Sequence, residues 1–105
     1  MSEWKNIKVD GIVEIKKCVG EYSIFHDGRL PLLNFRVKIF EYPDGSYVGF
    51  YNFRIRNPRD GSFDAGASFG KTEAECLEET LKYLLNSISE LDKLTSEDIE
   101  WTEDF

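Results

Sequence analysis

The sequence predicts an α+β protein: an antiparallel sheet of four or five strands, one long C-terminal helix packed on one face, and an acidic tail. Two observations predict this fold class. Between residues 34 and 57, apolar and polar side chains alternate with a period of two, as in half-buried strands. From Thr72 onward, the apolar residues follow a four-three spacing, which is typical of an amphipathic helix. We therefore expect a single domain over residues 1–91 and a tail over residues 92–105, which could hold a capped helical turn at Ser96.

The chain has 105 residues, of which 41% are hydrophobic and 31% are charged. This size and composition are those of a globular domain that buries its own core. No run of about 18 apolar residues is present, and the first ten residues do not resemble a signal peptide. We therefore expect a cytoplasmic protein without a membrane span. Cys18 and Cys76 lie 58 positions apart, and we expect both to be buried, reduced thiols.

Four Asp-Gly pairs punctuate the first part of the chain, at 10–11, 27–28, 44–45 and 60–61. Because glycine adopts positive φ at low cost, each pair predicts a hairpin tip or a loop apex. Apolar residues flank the first pair on both sides. They predict either a hairpin over residues 4–18 or one long bulged strand, and the pattern leaves both open.

The central pair of strands is the best-defined element of the prediction. "NFRVKIFEY" (34–42) and "SYVGFYNFRIRN" (46–57) both alternate, and "YPDGS" between them is typical of a type I turn closed by a left-handed glycine. The register that follows places the aromatic and aliphatic residues on one face and the basic residues on the other. It pairs Tyr42 with Ser46, Val37 with Tyr51, and Phe35 with Phe53.

The C-terminal half is predicted to contain one weak strand and the helix. Residues 61–70 are mostly small, so they predict a thin strand that lets a helix approach closely. The helix of about twenty residues should bury one apolar stripe, with Glu73, Glu78, Glu79 and Lys82 outside it. The stripe consists of Leu77, Leu81, Leu84, Ile88 and Leu91.

The stretch "AGASFGKT" (65–72) ends like a phosphate-binding loop, so Gly70-Lys71-Thr72 could mark a nucleotide-binding enzyme. The same residues also predict the start of a helix, and the flexible backbone of Gly70 would allow the chain to turn from strand to helix. In that interpretation, the Thr72 side chain accepts a hydrogen bond from the backbone N–H of Glu75. The Glu75 side chain accepts one from the backbone N–H of Thr72, which completes a capping box. We favour the cap, because a helix rich in glutamate at its start repels phosphate. His26 is best interpreted as a loop histidine, and no cluster has metal-ligand spacing.

The charge is distributed unevenly along the chain. Residues 1–60 hold ten Lys and Arg against eight Asp and Glu, whereas residues 61–105 hold three against twelve. A concentrated acidic surface favours association with a basic protein and argues against nucleic acid as a partner. The residues that we expect to form this surface are Glu73, Glu78, Glu79, Glu90, Glu97, Asp98 and Glu100.

A basic face interleaved with aromatic residues offers an alternative function. Such a sheet can stack the bases of RNA. Two structural interpretations compete with this one. The face can be solvated, or the segment 101–105 can fold back on it, pairing Glu103 and Asp104 with its arginines. The face comprises Arg36, Lys38, Phe40, Phe50, Arg54 and Arg56.

Residues 34–91 also show a family resemblance. The turn "YPDGSYVGF" and the helix start "GKTEAECLEETLKYLL" resemble those of the HicB-like antitoxin domain. The resemblance implies a β-β-β-α module that neutralises a small toxin ribonuclease. The chain departs from the family pattern by carrying residues 65–69 where the family has Gly-Cys, and we carry over no functional residue.

Together these patterns predict a non-enzymatic binding or inhibitor protein without a cofactor. It would be antitoxin-like or immunity-like, or an inhibitor of the phage type, and its partner would be a basic protein that handles nucleic acid. The alternatives are an RNA-binding sheet and a nucleotide-binding enzyme. We expect a monomer or a homodimer formed by pairing of edge strands.

Overall fold

The computed structural model describes residues 3–25, 34–56, 61, 63–64, 66–89, 96–102 and 105. Within these residues the chain forms two antiparallel sheets and one α-helix, which confirms the α+β class. The strand order is β1-β2-β3-β6 in the first sheet and β5-β4-β7 in the second. The strands are β1 (Lys17–Phe25), β2 (Asn34–Glu41), β3 (Tyr47–Tyr51), β4 (Phe53–Arg56), β5 (Phe63–Asp64), β6 (Ala67–Gly70) and β7 (Ile99–Trp101), and the helix is α1 (Glu73–Ser89).

The hairpin of β2 and β3 has the predicted turn and register. The Tyr42 N–H donates to the Ser46 carbonyl at 2.9 Å, and the Gly45 N–H donates to the Tyr42 carbonyl at 3.0 Å. Gly45 has a φ of 90°, as the left-handed position of this turn requires. Val37 faces Tyr51 in the ladder, so the aliphatic and aromatic residues share one face.

The predicted ladder pair of Phe35 with Phe53 is wrong, because the ladder ends at Tyr51. Asn52 interrupts the strand: its side-chain oxygen accepts from the Arg36 N–H at 3.0 Å, and its own N–H donates to the Arg36 carbonyl at 3.1 Å. The chain then enters β4, which pairs with β5 and β7 in the second sheet. Phe35 and Phe53 still touch edge to face, with ring centroids 5.4 Å apart.

The N-terminal residues form neither the predicted hairpin nor one long strand. A 3-10 turn spans Glu3–Asn6, a second turn lies at residues 10–11, and β1 begins only at Lys17. The bulge lies between Cys18 and Gly20. Alternation misled the prediction, because four apolar residues of this segment remain more than half exposed. These residues are Ile7, Val9, Ile12 and Val13.

The thin strand predicted over residues 61–70 is divided between the two sheets. Phe63–Asp64 pairs with β4, and Ala67–Gly70 pairs with β3. Between them, the Gly66 N–H donates to the Tyr51 hydroxyl at 3.1 Å. The segment therefore connects the sheets and carries the chain to the start of the helix.

Helix α1 begins as a capped helix, with one change from the predicted cap. Thr72 Oγ1 accepts from the Glu75 N–H at 3.1 Å, as expected. The Glu75 carboxylate, however, accepts from the Lys71 N–H at 3.4 Å rather than from that of Thr72. Gly70 is needed for close packing and not for positive φ, since an added Cβ would lie 2.6 Å from the Cys76 backbone nitrogen.

The core lies between α1 and the sheets. Of the predicted helix stripe, Leu84 and Ile88 are buried, Leu77 and Leu81 are partly buried, and Leu91 lies outside the described residues. The strands contribute a set of aromatic and aliphatic side chains to the same cluster. That set is Phe35, Val37, Ile39, Tyr51, Phe53, Ile55 and Ile99.

The cap at Thr72 gives the first testable prediction. Thr72→Ala removes the acceptor for the Glu75 N–H, so we expect the free energy of unfolding to fall by about 1 kcal/mol. Urea denaturation followed by circular dichroism measures the change. The matched control is Thr102→Ala, an exposed threonine outside the helix, which should stay within about 0.5 kcal/mol of the wild type. Equal losses in the two variants would contradict the capping role.

Candidate functional site

The side of the sheets turned away from α1 carries the predicted basic and aromatic residues. In the register of β2 and β3, Lys38 faces Phe50, and Phe40 lies two residues further along the same face. The rings of Phe40 and Phe50 meet edge to face, with centroids 5.9 Å apart and an angle of 70° between their planes. Arg54 lines the same groove as Lys38, so the structure brings these sequence-predicted residues together.

The cations of this face have partners within the chain. Glu21 of β1 lies 3.6 Å from Arg36 and 3.8 Å from Lys38, and Glu100 of β7 lies 3.9 Å from Arg54. Arg56 donates to the carbonyl oxygen of Glu97 at 3.3 Å. Sequence reasoning missed Glu21, because the predicted N-terminal strand stopped before it and the register of β1 was therefore unknown. The predicted pairing of Glu103 and Asp104 with arginines lies outside the described residues.

The described part of the predicted tail lies along the second sheet. A 3-10 turn spans Ser96–Asp98, and β7 follows it directly. Strand β7 pairs with β4, and Trp101 packs edge to face on Phe53 at 5.6 Å. These contacts attach residues 96–102 to the second sheet.

Phe105 contacts Lys38, a residue of the basic face on which one structural interpretation placed the segment 101–105. The Lys38 ammonium donates to the Phe105 carbonyl oxygen and lies 4.7 Å from the centroid of the Phe105 ring. Lys16 lies 5.5 Å from the centroid of Phe40 in the same way. Between them is an open groove of about 300 Å3. We call it the cationic groove, and it is lined by Lys16, Lys38, Phe40, Phe50, Arg54, Phe105 and their neighbours Tyr51, Phe53 and Thr102.

The predicted acidic residues do not form one surface. Glu78 and Glu79 are exposed on the outer side of α1, together with Glu75, which the sequence analysis had assigned only to the cap. Glu100 and Arg54 face each other in the ladder between β7 and β4, alternating with Ile99 and Ile55, which point into the core. The core therefore separates Glu100 from the outer side of α1. Of the other members, Glu97 is exposed and Asp98 half-buried in the same turn, and Glu90 lies outside the described residues.

Glu73 lies on the inner side of the helix rather than on the predicted outer surface. It is half-buried and accepts a hydrogen bond from the Tyr22 hydroxyl of β1. The hydrogen bond, together with burial and the nearby negative charge, raises the pKa of Tyr22 above its ordinary value of 10.0. Glu73 therefore connects the first turn of the helix to an edge strand.

The raised pKa of Tyr22 predicts a specific dependence of stability on pH. Because the pKa is raised in the folded state, the stabilisation is complete below pH 10.0 and is lost as pH rises through the folded pKa. We expect Tyr22→Phe to be less stable than the wild type at neutral pH, and the difference to shrink above pH 10.0. Urea denaturation across this range measures it, with Tyr42→Phe as the control. A difference that is constant with pH would contradict the role of the hydroxyl.

The structure also describes the predicted nucleotide-binding motif and the candidate metal ligands. Lys71 and Thr72 are exposed, and their backbone and side-chain groups take part in the helix cap. Within the described residues, no group of three or more His, Cys, Asp or Glu could hold a metal ion, and His26 is outside them.

Cys76 is buried, which raises the pKa of its thiol, whereas Cys18 is exposed, contrary to expectation. In the part of the chain that the structure describes, no helix is long and apolar enough to cross a membrane.

The arrangement defines a small α+β protein with an acidic helix on one side and a cationic groove on the other. No protein-family model matches the chain, and neither does any curated protein or solved structure. The resemblance of residues 34–91 to the HicB-like antitoxin domain stays a prediction.

Proposed function

We propose that this chain is a small non-enzymatic binding or inhibitor protein that uses the outer side of α1 to bind a basic protein that handles nucleic acid. Antitoxin-like, immunity-like and phage-type inhibitors belong to this class. The observation that carries the proposal is the separation of charge. The cations of the sheet face are paired with Glu21 and Glu100, whereas the helix exposes carboxylates to solvent.

The helix has an excess of negative charge. Of its 17 residues, four are glutamates and one, Lys82, is a lysine. Glu73 lies on the inner side, so three glutamates against one lysine leave the outer side with a balance of −2. Lys82 lies 2.9 Å from Glu78, but both side chains are more than half exposed. Ion pairs between exposed side chains contribute little to stability, so a cation on a partner can replace this one readily. A field of one sign also accelerates association with an oppositely charged protein.

Two apolar side chains lie beside these carboxylates. Tyr83 and Leu85 are 49% and 47% exposed on the helix, although residues of these types are usually more buried. Tyrosine is among the residue types enriched at protein interfaces, and an exposed leucine adds apolar contact area. The outer side of α1 therefore offers both steering charge and contact area.

The protein would act in the cytoplasm, as a monomer or a homodimer. A cytoplasmic location suits the exposed free thiol of Cys18, because the cytosol keeps such thiols reduced. The first sheet ends at β1 on one side and β6 on the other. These strands are longer than β5 and β7, the edges of the second sheet, so a homodimer would pair through one of them. Binding through the helix requires neither edge, so it is open to a monomer or a dimer.

The test compares two charge-reversal variants with equal net charge. Glu78→Lys/Glu79→Lys changes the helix, whereas Asp10→Lys/Glu14→Lys changes an exposed part of the N-terminal segment, and each raises the formal charge from −7 to −3. Each protein is immobilised on a resin and exposed to native cell lysate at low salt. The lysate proteins that the resin retains are identified by mass spectrometry. We expect the wild type and the N-terminal variant to retain a basic protein, and the helix variant to retain about tenfold less.

The salt dependence of the affinity for the retained protein completes the test. Affinity for the retained protein, measured by calorimetry, should fall as ionic strength rises, because exposed charges are screened. Equal retention by the two variants, or retention of acidic proteins only, would refute the proposed interface.

A further inference from the structure

The three glutamates on the outer side of α1 differ in what they already bind. Lys82 lies 2.9 Å from Glu78, so that carboxylate is engaged by a cation of its own helix. The Glu75 carboxylate accepts from the Lys71 N–H at 3.4 Å and belongs to the cap. Glu79 forms no hydrogen bond or ion pair within the part of the chain that the structure describes. Of the three carboxylates, that of Glu79 is therefore the most open to a cation on a partner.

Tyr83 lies one helical turn after Glu79. Residues four apart on a helix are neighbours, with Cβ atoms about 5–6 Å apart. A helical side chain also leans toward the preceding turn, so the ring of Tyr83 extends toward Glu79. Both side chains are exposed to solvent, that of Tyr83 to 49%. The helix thus presents a carboxylate and an aromatic ring side by side.

One side of the Tyr83 ring rests on a fixed part of the fold. A Cβ added to Gly66 would lie 2.7 Å from Tyr83 Cε1, so the ring packs directly on the backbone of this glycine. Gly66 is buried, and its N–H donates to the hydroxyl of the core residue Tyr51 at 3.1 Å. The backbone under the ring is therefore attached to the core, which limits the orientations that the ring can adopt.

A carboxylate beside an exposed aromatic ring matches the guanidinium group of arginine. The guanidinium is planar, so it can stack on the ring while it donates two parallel hydrogen bonds to the carboxylate. The ammonium group of lysine is a compact and strongly hydrated charge, and it gains less from such a pair. The arrangement therefore distinguishes between two side chains of equal charge.

We propose that Glu79 and Tyr83 form a binding site for an arginine side chain of the basic partner protein. The guanidinium donates to the Glu79 carboxylate and stacks on the exposed part of the Tyr83 ring. The identity of the partner as a basic protein rests on the proposed function. The site adds a preference for arginine over lysine, which the net charge of α1 alone does not supply.

The experiment titrates the full chain with two peptides of equal charge at low salt and follows backbone amide shifts by NMR. The probes are acetyl-tetra-arginine-amide and acetyl-tetra-lysine-amide. Because their charges are equal, the long-range attraction to the acidic protein is the same for both. We expect the arginine peptide to bind about three- to fivefold tighter, with the largest shifts at Glu79 and Tyr83.

Substitutions separate the contribution of the ring from that of the carboxylate. Tyr83→Leu should weaken binding of the arginine peptide to the level of the lysine peptide, whereas Tyr83→Phe, which keeps the ring, should retain the preference. Glu79→Gln should weaken binding of the arginine peptide about three- to fivefold. The matched control is Glu75→Gln, which makes the same change of charge on the same helix and keeps an acceptor for the cap. Its effect should be less than about twofold.

Equal affinity of the wild type for the two peptides would overturn the proposal. So would a preference for arginine that survives Tyr83→Leu, or shifts that leave residues 79–83 unchanged. If Tyr83→Leu fails to fold, the wild type, Tyr83→Phe and Glu79→Gln still decide the result.

Retention from cell lysate separates this site from the proposed function. We expect immobilised Tyr83→Leu to retain about three- to fivefold less of the basic protein than the wild type does. Equal retention by the two proteins would refute the arginine site and leave the proposed function standing. A wild type that retains no basic protein would refute the proposed function, whatever preference the peptides show.

Discussion

Replacing Phe53 with alanine is expected to remove most of the stability of the protein. The Phe53 side chain has no exposed surface and lies where the two sheets meet. Its ring centroid is 5.4 Å from that of Phe35, 4.6 Å from that of Tyr51 and 5.6 Å from that of Trp101. Phe→Ala at a buried site typically lowers the free energy of unfolding by about 3–5 kcal/mol, out of about 5–15 kcal/mol for a whole domain.

Urea denaturation measures this change, and near-ultraviolet circular dichroism, to which Trp4 and Trp101 both contribute, reports whether the aromatic side chains keep fixed packing. The matched control is Phe69→Ala, because Phe69 is 63% exposed on β6. We expect the control to stay within about 0.5 kcal/mol of the wild type. A loss at Phe53 no larger than the loss at Phe69 would show that Phe53 does not join the sheets.

The parts of the fold that the sequence predicted are those encoded by two local signals at once. At residues 34–51 the turn chemistry of Asp44-Gly45 and the alternation of the strands specify the same register, and the structure has that register. At the start of α1, Thr72 and the four-three apolar spacing agree in the same way. Either signal alone would have left the register or the helix start undefined.

The N-terminal segment and β1 show what a single signal misses. Ile7 and Val13 alternate with polar residues but stay exposed, since no other strand pairs with them within the described residues. Strand β1 does alternate after its bulge, with Tyr22 and Ile24 half-buried, but the glycine at position 20 obscures the pattern. Hydrophobicity indicates which residues can be buried, and only the tertiary pairing decides which of them are.

The candidate sites are formed by contacts between residues that lie far apart in the sequence, so they were still harder to predict. Lys38 and Phe105 are 67 positions apart, and no local pattern relates them. Glu73, in contrast, could have been placed correctly, because it precedes Leu77, Thr80 and Leu84 at four-three-four spacing and therefore belongs to the buried stripe. Its charge led to its assignment to the outer surface, whereas helical periodicity places it beside β1.

Gly49→Ala is expected to have the second large effect, because the helix passes close to β3 at this point. An added Cβ would overlap Thr80 Oγ1 and lie 2.9 Å from Ile39 Cδ1 and 3.3 Å from Thr80 Cβ. Alanine normally improves on glycine within a strand by about 0.5–1 kcal/mol. We expect the opposite sign at Gly49, with a loss of about 1–3 kcal/mol, because the sheet and the helix must separate to admit the methyl group.

Thr80 provides the second arm of a double-mutant cycle. Its side chain is buried, and its hydroxyl donates to the Cys76 carbonyl at 2.8 Å. Thr80→Ala alone should therefore lower the stability modestly, by about 1 kcal/mol. In the double variant the methyl group of residue 49 takes space that the hydroxyl has left, so the combined loss should be smaller than the sum of the single losses. A coupling of about 1–2 kcal/mol is expected from urea denaturation of the four proteins.

Gly45→Ala is the control that distinguishes steric overlap from backbone strain. Gly45 has a φ of 90°, and nothing lies within 4 Å of an added Cβ. Its replacement should lower the stability by about 1–2 kcal/mol through strain alone, with no coupling to Thr80→Ala, since the two residues share no contact. Additive losses for Gly49→Ala and Thr80→Ala would contradict the close approach of helix and sheet. Coupling confined to Gly49 would show that the absence of a side chain there sets the distance at which α1 packs on β3.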